Sequence, residues 1–234
     1  MSFKRKPPSG NARRVRSQGS NFCGVTTNKR GKLVQFESEQ ERKLILLLER
    51  DVTVIDYVSQ PETLYYHDVQ GKRRQYTPDF QVWRVNQQIE LHEVTVESRR
   101  SRSVALQRRE AAAHRICQQR GWTYHVHTES NLPAGYVYAN LDYLAPFRAT
   151  IYINPEITSW WLQHLAGCGP IHPQIGVPQE TRSEFLNGLY HLLWHNKIAM
   201  NWSQPLIQNG YFSRTAIIWL EQNPLKDLAK GGLP

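Results

Sequence analysis

Cysteine is scarce in this 234-residue sequence: Cys23, Cys117 and Cys168 are odd in number and far apart. That excludes a disulfide framework and fits a reducing compartment, with the cytoplasm as the expected location. No run approaches the ~18 apolar residues of a membrane span, and the first charges are not followed by the apolar core of a secretory signal. An Arg-rich start also describes a mitochondrial transit peptide, but the Pro and Gly of KPPSGN oppose an amphipathic helix. Acid is missing from residues 1–32, which hold nine basic residues (Lys4, Arg5, Lys6, Arg13, Arg14, Arg16, Lys29, Arg30, Lys32), while the rest holds twenty of each sign. The surplus therefore lies in a leading arm of the kind that binds polyanions, with Lys4, Arg5, Lys6, Arg13, Arg14 and Arg16 as candidate DNA contacts. With 40% apolar against 21% charged residues, the remainder can bury a core.

Apolar periodicity begins near Leu33. Leu44, Ile45 and Leu48 fall at helical spacing within 37–50, which predicts an amphipathic helix. TVIDYV, TLYYH and RRQYT read as strands, the last two joined by a turn at VQGK. DFQVWRV and IELHEVTV form a second hairpin with a two-residue period. A helix is expected over 101–120, stopped by Gly121, and then a strand at WTYHVHT. This order predicts an α/β fold, a mixed sheet flanked by helices. Composition shifts near Pro146 to Pro155. Beyond it ITSWWLQHL and SEFLNGLYHLLWHNKI read as helices and MNWSQPLIQNGYFS as a short strand pair or wing. The expected organisation is a basic flexible arm over 1–32, a catalytic α/β domain over 33–150, and a mostly helical, winged or unwinged interaction domain over 151–234.

Chemistry is sought where acids occupy positions that burial normally excludes. Glu41 lies on the inward stripe of its helix with Leu44, Ile45 and Leu48. Asp79 follows Pro78 at the mouth of an apolar strand, and Glu93 shares a strand face with Leu91 and Thr95. Three converging carboxylates repel one another unless a cation joins them, and an all-oxygen set suits Mg²⁺ or Mn²⁺, with the Val94 carbonyl as a further ligand. Such an ion activates water for attack on phosphorus and stabilises the leaving oxygen. Other readings stay open at each position: a capping box from Ser38 to Glu41, a turn acceptor at Asp79, and a cross-strand arginine partner for Glu93.

Taken together, S-x-x-E at Ser38 to Glu41, the TPDF ending at Phe80 and Glu93-Val94-Thr95 resemble the restriction-endonuclease-like PD-(D/E)xK nuclease pattern. Over about residues 33 to 130, with LLLERDVTVIDYVSQP and KRRQYTPDF, the chain resembles TnsA, the endonuclease subunit of heteromeric cut-and-paste transposases. The resemblance implies a metal-dependent endonuclease cutting the 5′ ends of a transposon, with Glu41, Asp79 and Glu93 as metal ligands. Its partners would be a TnsB-like transposase and a TnsC-like ATPase, which the C-terminal domain would contact. The lysine of the pattern falls at position 95, where this chain has Thr95. Loss of one such donor costs about 10²–10³ in rate. Arg99, Arg100 and Lys43 are candidate replacements, or the Thr95 hydroxyl holds the water itself. Two alternatives follow: a catalytically silent DNA-binding adaptor, and a stand-alone restriction or repair nuclease.

Lys72, Arg73 and Arg74 lead to Asp79, and Arg99, Arg100 and Arg102 follow Glu93, so both clusters are candidate DNA contacts. His191 and His195, four apart on one helical face, have zinc-like spacing that Cys168 and His172 would complete; polar or interface roles are the alternative. His125 and His127 share a strand face and read as structural or DNA-facing, with metal ligation as the other option. Five of seven tryptophans, Trp160, Trp161, Trp194, Trp202 and Trp219, lie in the C-terminal third, as a core or as a partner surface.

Overall fold

The computed structural model describes residues 22–148 and 153–220. The stretch with Lys4, Arg5, Lys6, Arg13, Arg14 and Arg16 lies outside the described residues. The chain divides into two compact units between Leu132 and Pro133.

The first unit opens with β1 (Gly24–Thr27) and β2 (Leu33–Phe36), an antiparallel hairpin. This corrects the arm boundary at residue 32. Asn28 donates to Asp56 Oδ1 at 2.6 Å and to the Tyr57 carbonyl at 2.8 Å, and Arg30 and Lys32 approach Asp56 at 3.6 and 3.7 Å. Lys29 donates to the carbonyls of Asp51 and Val54. The last three bases of the expected arm are thus fastened to the folded unit.

Helix α1 (Glu39–Arg50) starts at Ser38, whose hydroxyl accepts the Glu41 N–H, and buries Leu44, Ile45 and Leu48. Then come β3 (Val54–Ser59), the hairpin of β4 (Leu64–His67) and β5 (Arg73–Tyr76), and the strands β6 (Phe80–Arg84) and β7 (Ile89–Val94). The single helix expected over 101–120 is two helices, α2 (Glu97–Arg102) and α3 (Val104–Arg120). Ser103 separates them because its hydroxyl caps the second one, accepting from Leu106 N–H. Gly121, at φ 69°, ends α3 as expected, with the Trp122 N–H returning to the Cys117 carbonyl. Strand β8 (Thr123–His127) completes a four-stranded sheet ordered β3-β6-β7-β8. The pairs are antiparallel except β7–β8, which is parallel and needs the α2–α3 crossover between its strands.

Apolar side chains cover both sides of this sheet. Phe80 and Val82 pack with Leu44, Ile45 and Leu48 of α1. Leu91 and Tyr124 pack with Ala113 and Cys117 of α3. The result is the expected mixed α/β sheet flanked by helices, of the restriction-endonuclease-like kind.

The second unit begins earlier than the residue-151 boundary. It opens with α4 (Gly135–Leu144), unmarked by periodicity, and a 3₁₀ turn at Ala145–Arg148. Helices α5 (Pro155–Cys168) and α6 (Arg182–Trp194) follow, then β9 (Ile198–Met200), β10 (Ile207–Gln208), β11 (Tyr211–Phe212) and β12 (Ile218–Leu220). Strands β9 and β12 pair, as do β10 and β11, so this unit is partly helical. Trp161, Trp194 and Trp202 are buried, which accounts for much of the local tryptophan as core. Buried Asn140 fixes the 202–206 loop, accepting from Leu206 N–H at 2.9 Å and donating to the carbonyls of Trp202 and Gln204.

Candidate nuclease site

Phe80 lies opposite His92, and the same register sets Asp79 opposite Glu93 across the β6–β7 pair. The Asp79 backbone is held on both sides: its N–H donates to the His92 carbonyl at 3.1 Å and its carbonyl accepts from Gln60 N–H at 2.7 Å. Gln60 is buried in the left-handed region at φ 48°, a strained conformation fixed by its surroundings. The Asp79 side chain accepts the Val94 N–H on Oδ2 at 2.7 Å. The aspartate is therefore aimed at the end of β7 by three backbone contacts.

Glu93 is buried on the α3 side of the sheet. Its Oε2 accepts from the Tyr76 hydroxyl at 2.5 Å, and Tyr76 lies 3.0 Å from the Tyr124 hydroxyl. Its Oε1 accepts from Arg109, whose guanidinium also sits over the Tyr76 ring, 4.5 Å from the centroid. The cross-strand arginine considered for Glu93 is thus a helical one. Glu41 forms the capping box: Oε2 accepts from Glu37 N–H at 2.9 Å and Oε1 from the Ser38 hydroxyl at 3.1 Å. The box does not remove Glu41 from the cluster. Burial first, and then the charge of Asp79, push its carboxyl up to about 7.

Burial likewise drives Asp79 well above the usual carboxylate range, with the adjacent Glu93 as the next cause. Glu93 is raised by burial against the opposing pull of Arg109, Tyr76 and Asp79. Glu41 thus feels the charge of Asp79, and Asp79 that of Glu93, but among the described residues the ligand atoms of these three do not form a group within 4.8 Å of one another. All three are raised, chiefly by burial. The Val94 backbone adjoins Asp79 through its N–H.

Thr95 is half-buried, and its N–H donates to the His127 carbonyl at 2.9 Å. Two of the three cations expected to stand in for the missing lysine are engaged elsewhere. Arg100 pairs with Glu110 at 3.0 Å and Glu97 at 3.8 Å, and Lys43 approaches Glu39 at 3.6 Å. Arg99 and Arg102 are exposed on α2. The cation that reaches the cluster is Arg109, which was not among the sequence candidates. The signal was present: Leu106, Arg109, Ala113 and Cys117 follow one another at helical spacing, so Arg109 stands on the inward stripe of α3 as Glu41 does on α1. Arg109 Nε is buried without a hydrogen-bond partner.

The hairpin bases are exposed at β4–β5: Arg74 pairs with Asp68 at 2.8 Å, Arg73 lies over Tyr65, and Lys72 is exposed at the turn. His191 and His195 each direct one ring nitrogen to a carbonyl, Phe147 and Arg148 respectively, and His172 contacts the Ser213 carbonyl. Among the described residues these do not form a group of metal-ligating atoms with Cys168; the group that does form is Glu90, His92 and His125.

A mixed sheet with a helix on each side and acids converging at the ends of its central strands defines the restriction-endonuclease-like class. Within it, residues 51–129 match the family model described as TnsA-like endonuclease N terminal, so this stretch is similar to the N-terminal part of TnsA-like endonucleases. The match includes Asp79, Glu93, Thr95 and Arg109 and begins after α1. No curated protein matches the chain. No helix among the described residues is long and apolar enough to cross a membrane.

Proposed function

We propose that the chain is a metal-dependent DNA endonuclease subunit that cuts the 5′ strands of transposon ends, acting with a TnsB-like transposase and a TnsC-like ATPase. One observation carries the reading: Asp79 and Glu93 stand opposite each other at the ends of β6 and β7, inside the stretch that matches the TnsA-like family model, with Glu41 near enough to feel the charge of Asp79. That donor set fits a hard dication, because Mg²⁺ and Mn²⁺ take carboxylate oxygens and each of these oxygens retains a second lone pair. Asp79, Glu93, Glu41 and the Val94 carbonyl would hold it. When bound, the ion supplies a more acidic water and charge stabilisation at phosphorus and the leaving oxygen.

The protein's own contribution is positional. Val94 N–H orients Asp79, Ser38 and Glu37 orient Glu41, and Tyr76 orients Glu93. Arg109 takes the part of the missing lysine: its unpartnered Nε is a donor for an anionic oxygen beside Glu93. Thr95 offers a hydroxyl at the lysine position. Lys72, Arg73, Arg74, Arg99, Arg100 and Arg102 would attract the phosphate backbone, and Lys4, Arg5, Lys6, Arg13, Arg14 and Arg16 would add salt-dependent affinity without sequence preference. A cytoplasmic location and contact of the second unit with the ATPase complete the reading.

A catalytically silent adaptor is the second reading, favoured by the threonine at position 95 and by the closed Arg109–Glu93 pair. Reconstituted transposition with Asp79→Ala separates the two. The nuclease reading requires 5′ nicking to vanish while assembly persists. Unchanged 5′ cleavage, or wild-type products consisting only of joined donor and target molecules, would overturn it.

A further inference from the structure

Strand side chains alternate, so Glu90 and His92 stand on the opposite face of β7 from Glu93. In the parallel β7–β8 pair His92 lies beside His125 and Val94 beside His127, which brings the β8 histidines to that same face. The available ligand atoms of Glu90, His92 and His125 all lie within 4.8 Å of one another. His92 Nε2 is 3.0 Å from Glu90 Oε2, and His125 Nε2 is 3.6 Å from Glu90 Oε1. Bonds of roughly 2.0–2.1 Å at a tetrahedral angle put neighbouring ligand atoms about 3.3 Å apart. The His92–Oε2 separation is close to that value; the His125 distance runs to the other Glu90 oxygen, and the group as a whole stays within 4.8 Å.

We propose that Glu90, His92 and His125 form a binding site for a transition-metal dication of the zinc type, distinct from the carboxylate cluster. His125 Nε2 is buried and has no hydrogen-bond partner, an unsatisfied donor or lone pair turned toward Glu90. His92 Nδ1 lies 2.8 Å from His127 Nε2. With His92 bound through Nε2, its Nδ1–H donates to His127, the outer-shell contact that fixes the tautomer of a ligating histidine. Arg84 donates to Glu90 Oε1 at 2.7 Å and also pairs with Asp51 at 2.7 Å, so the two carboxylates outnumber this guanidinium by one and leave Glu90 Oε2 for the metal. Two imidazoles with one carboxylate select zinc or a neighbouring first-row metal over Mg²⁺. Three protein ligands leave a fourth position for water, on the side where the His125 ring is 40% exposed. Such a metal ties β7 to β8 and so steadies the strand that carries Glu93 and Val94.

The test uses the full, untagged chain stripped with a chelator and titrated with Zn²⁺ by calorimetry and with Co²⁺ by visible absorption. The site predicts one tight equivalent with tetrahedral Co²⁺ bands, undiminished by millimolar Mg²⁺. His125→Ala, which changes a partly exposed ring, should lose at least about 100-fold in affinity, and His127→Ala, an outer-shell change, about 10–100-fold. Asp79→Ala should bind Zn²⁺ as the wild type does, which separates this site from the nuclease reading. Absence of a tight equivalent in the wild type, or unchanged affinity in both folded histidine variants, overturns the proposal; loss of binding on His191→Ala with retention in His125→Ala does so as well.

Discussion

Arg109 and Glu93 are paired across the α3–β7 contact, with the guanidinium also lying over Tyr76 at 4.5 Å. A helical cation thus stands beside the strand acid, while the nuclease pattern's lysine position, two residues on, holds Thr95. If Arg109 supplies the electrophilic donor, Arg109→Ala lowers the single-turnover rate of 5′ nicking by about 10²–10³, while Arg109→Lys retains part of it. Nicking assays in reconstituted complexes check this. An unaltered rate in Arg109→Ala would reduce the arginine to a structural partner of Glu93.

Glu41 has two roles that substitution separates. Glu41→Gln keeps one acceptor, the amide oxygen, for the Glu37 N–H but removes the charge facing Asp79, so metal affinity falls while the fold is retained. Ser38→Ala removes the cap itself and costs about 1 kcal/mol of stability. Paired denaturant titration and metal-binding calorimetry measure both effects. Equal metal affinity in Glu41→Gln and wild type would leave the glutamate a capping residue only.

The cluster also predicts a pH dependence. Glu41, Asp79 and Glu93 all have folded-state values raised above the ordinary carboxylate range, Glu41 to about 7. Between about 4.5 and 7 the native state therefore binds more protons than the unfolded chain, and this contribution to stability is present at low pH and lost as pH rises. A dication displaces those protons, so Mg²⁺ should raise the melting temperature more at pH 8 than at pH 6. The same increment at both values would contradict ligation by these groups.

How much was legible in the sequence follows from the range of each signal. The α1 stripe, the two hairpins, Gly121 and the strand WTYHVHT depend on local periodicity and turn chemistry, and all appear where expected. The β1–β2 hairpin was hidden because short, half-exposed strands beside Lys29, Arg30 and Lys32 read as more of the basic stretch. Its anchoring depends on Asp56, 28 residues from Asn28 along the chain. At the site, a strand's period assigns Asp79 and Glu93 to faces, whereas Arg109 is one of several arginines in its helix and only the stripe from Leu106 to Cys117 singles it out. Glu90 and His92 alternate on one face of IELHEV, but only the parallel register brings His125 beside them.

The basic segment gives a prediction in solution. Residues 1–21 contain six bases, and six phosphate contacts would lose on the order of 10³ in DNA affinity between about 50 and 200 mM salt. Deleting residues 2–21 should flatten that slope in filter binding or anisotropy. A slope equal to that of the full chain would assign the contacts to the hairpin and α2 bases.

The most direct test of the central claim is anomalous diffraction from crystals of the protein soaked in Mn²⁺. A peak bounded by Glu41, Asp79 and Glu93, with Arg109 still beside Glu93, is the predicted result. Crystals that bind Mn²⁺ elsewhere, with the three carboxyls still sharing protons and no ion between them, would contradict a metal-dependent nuclease centre.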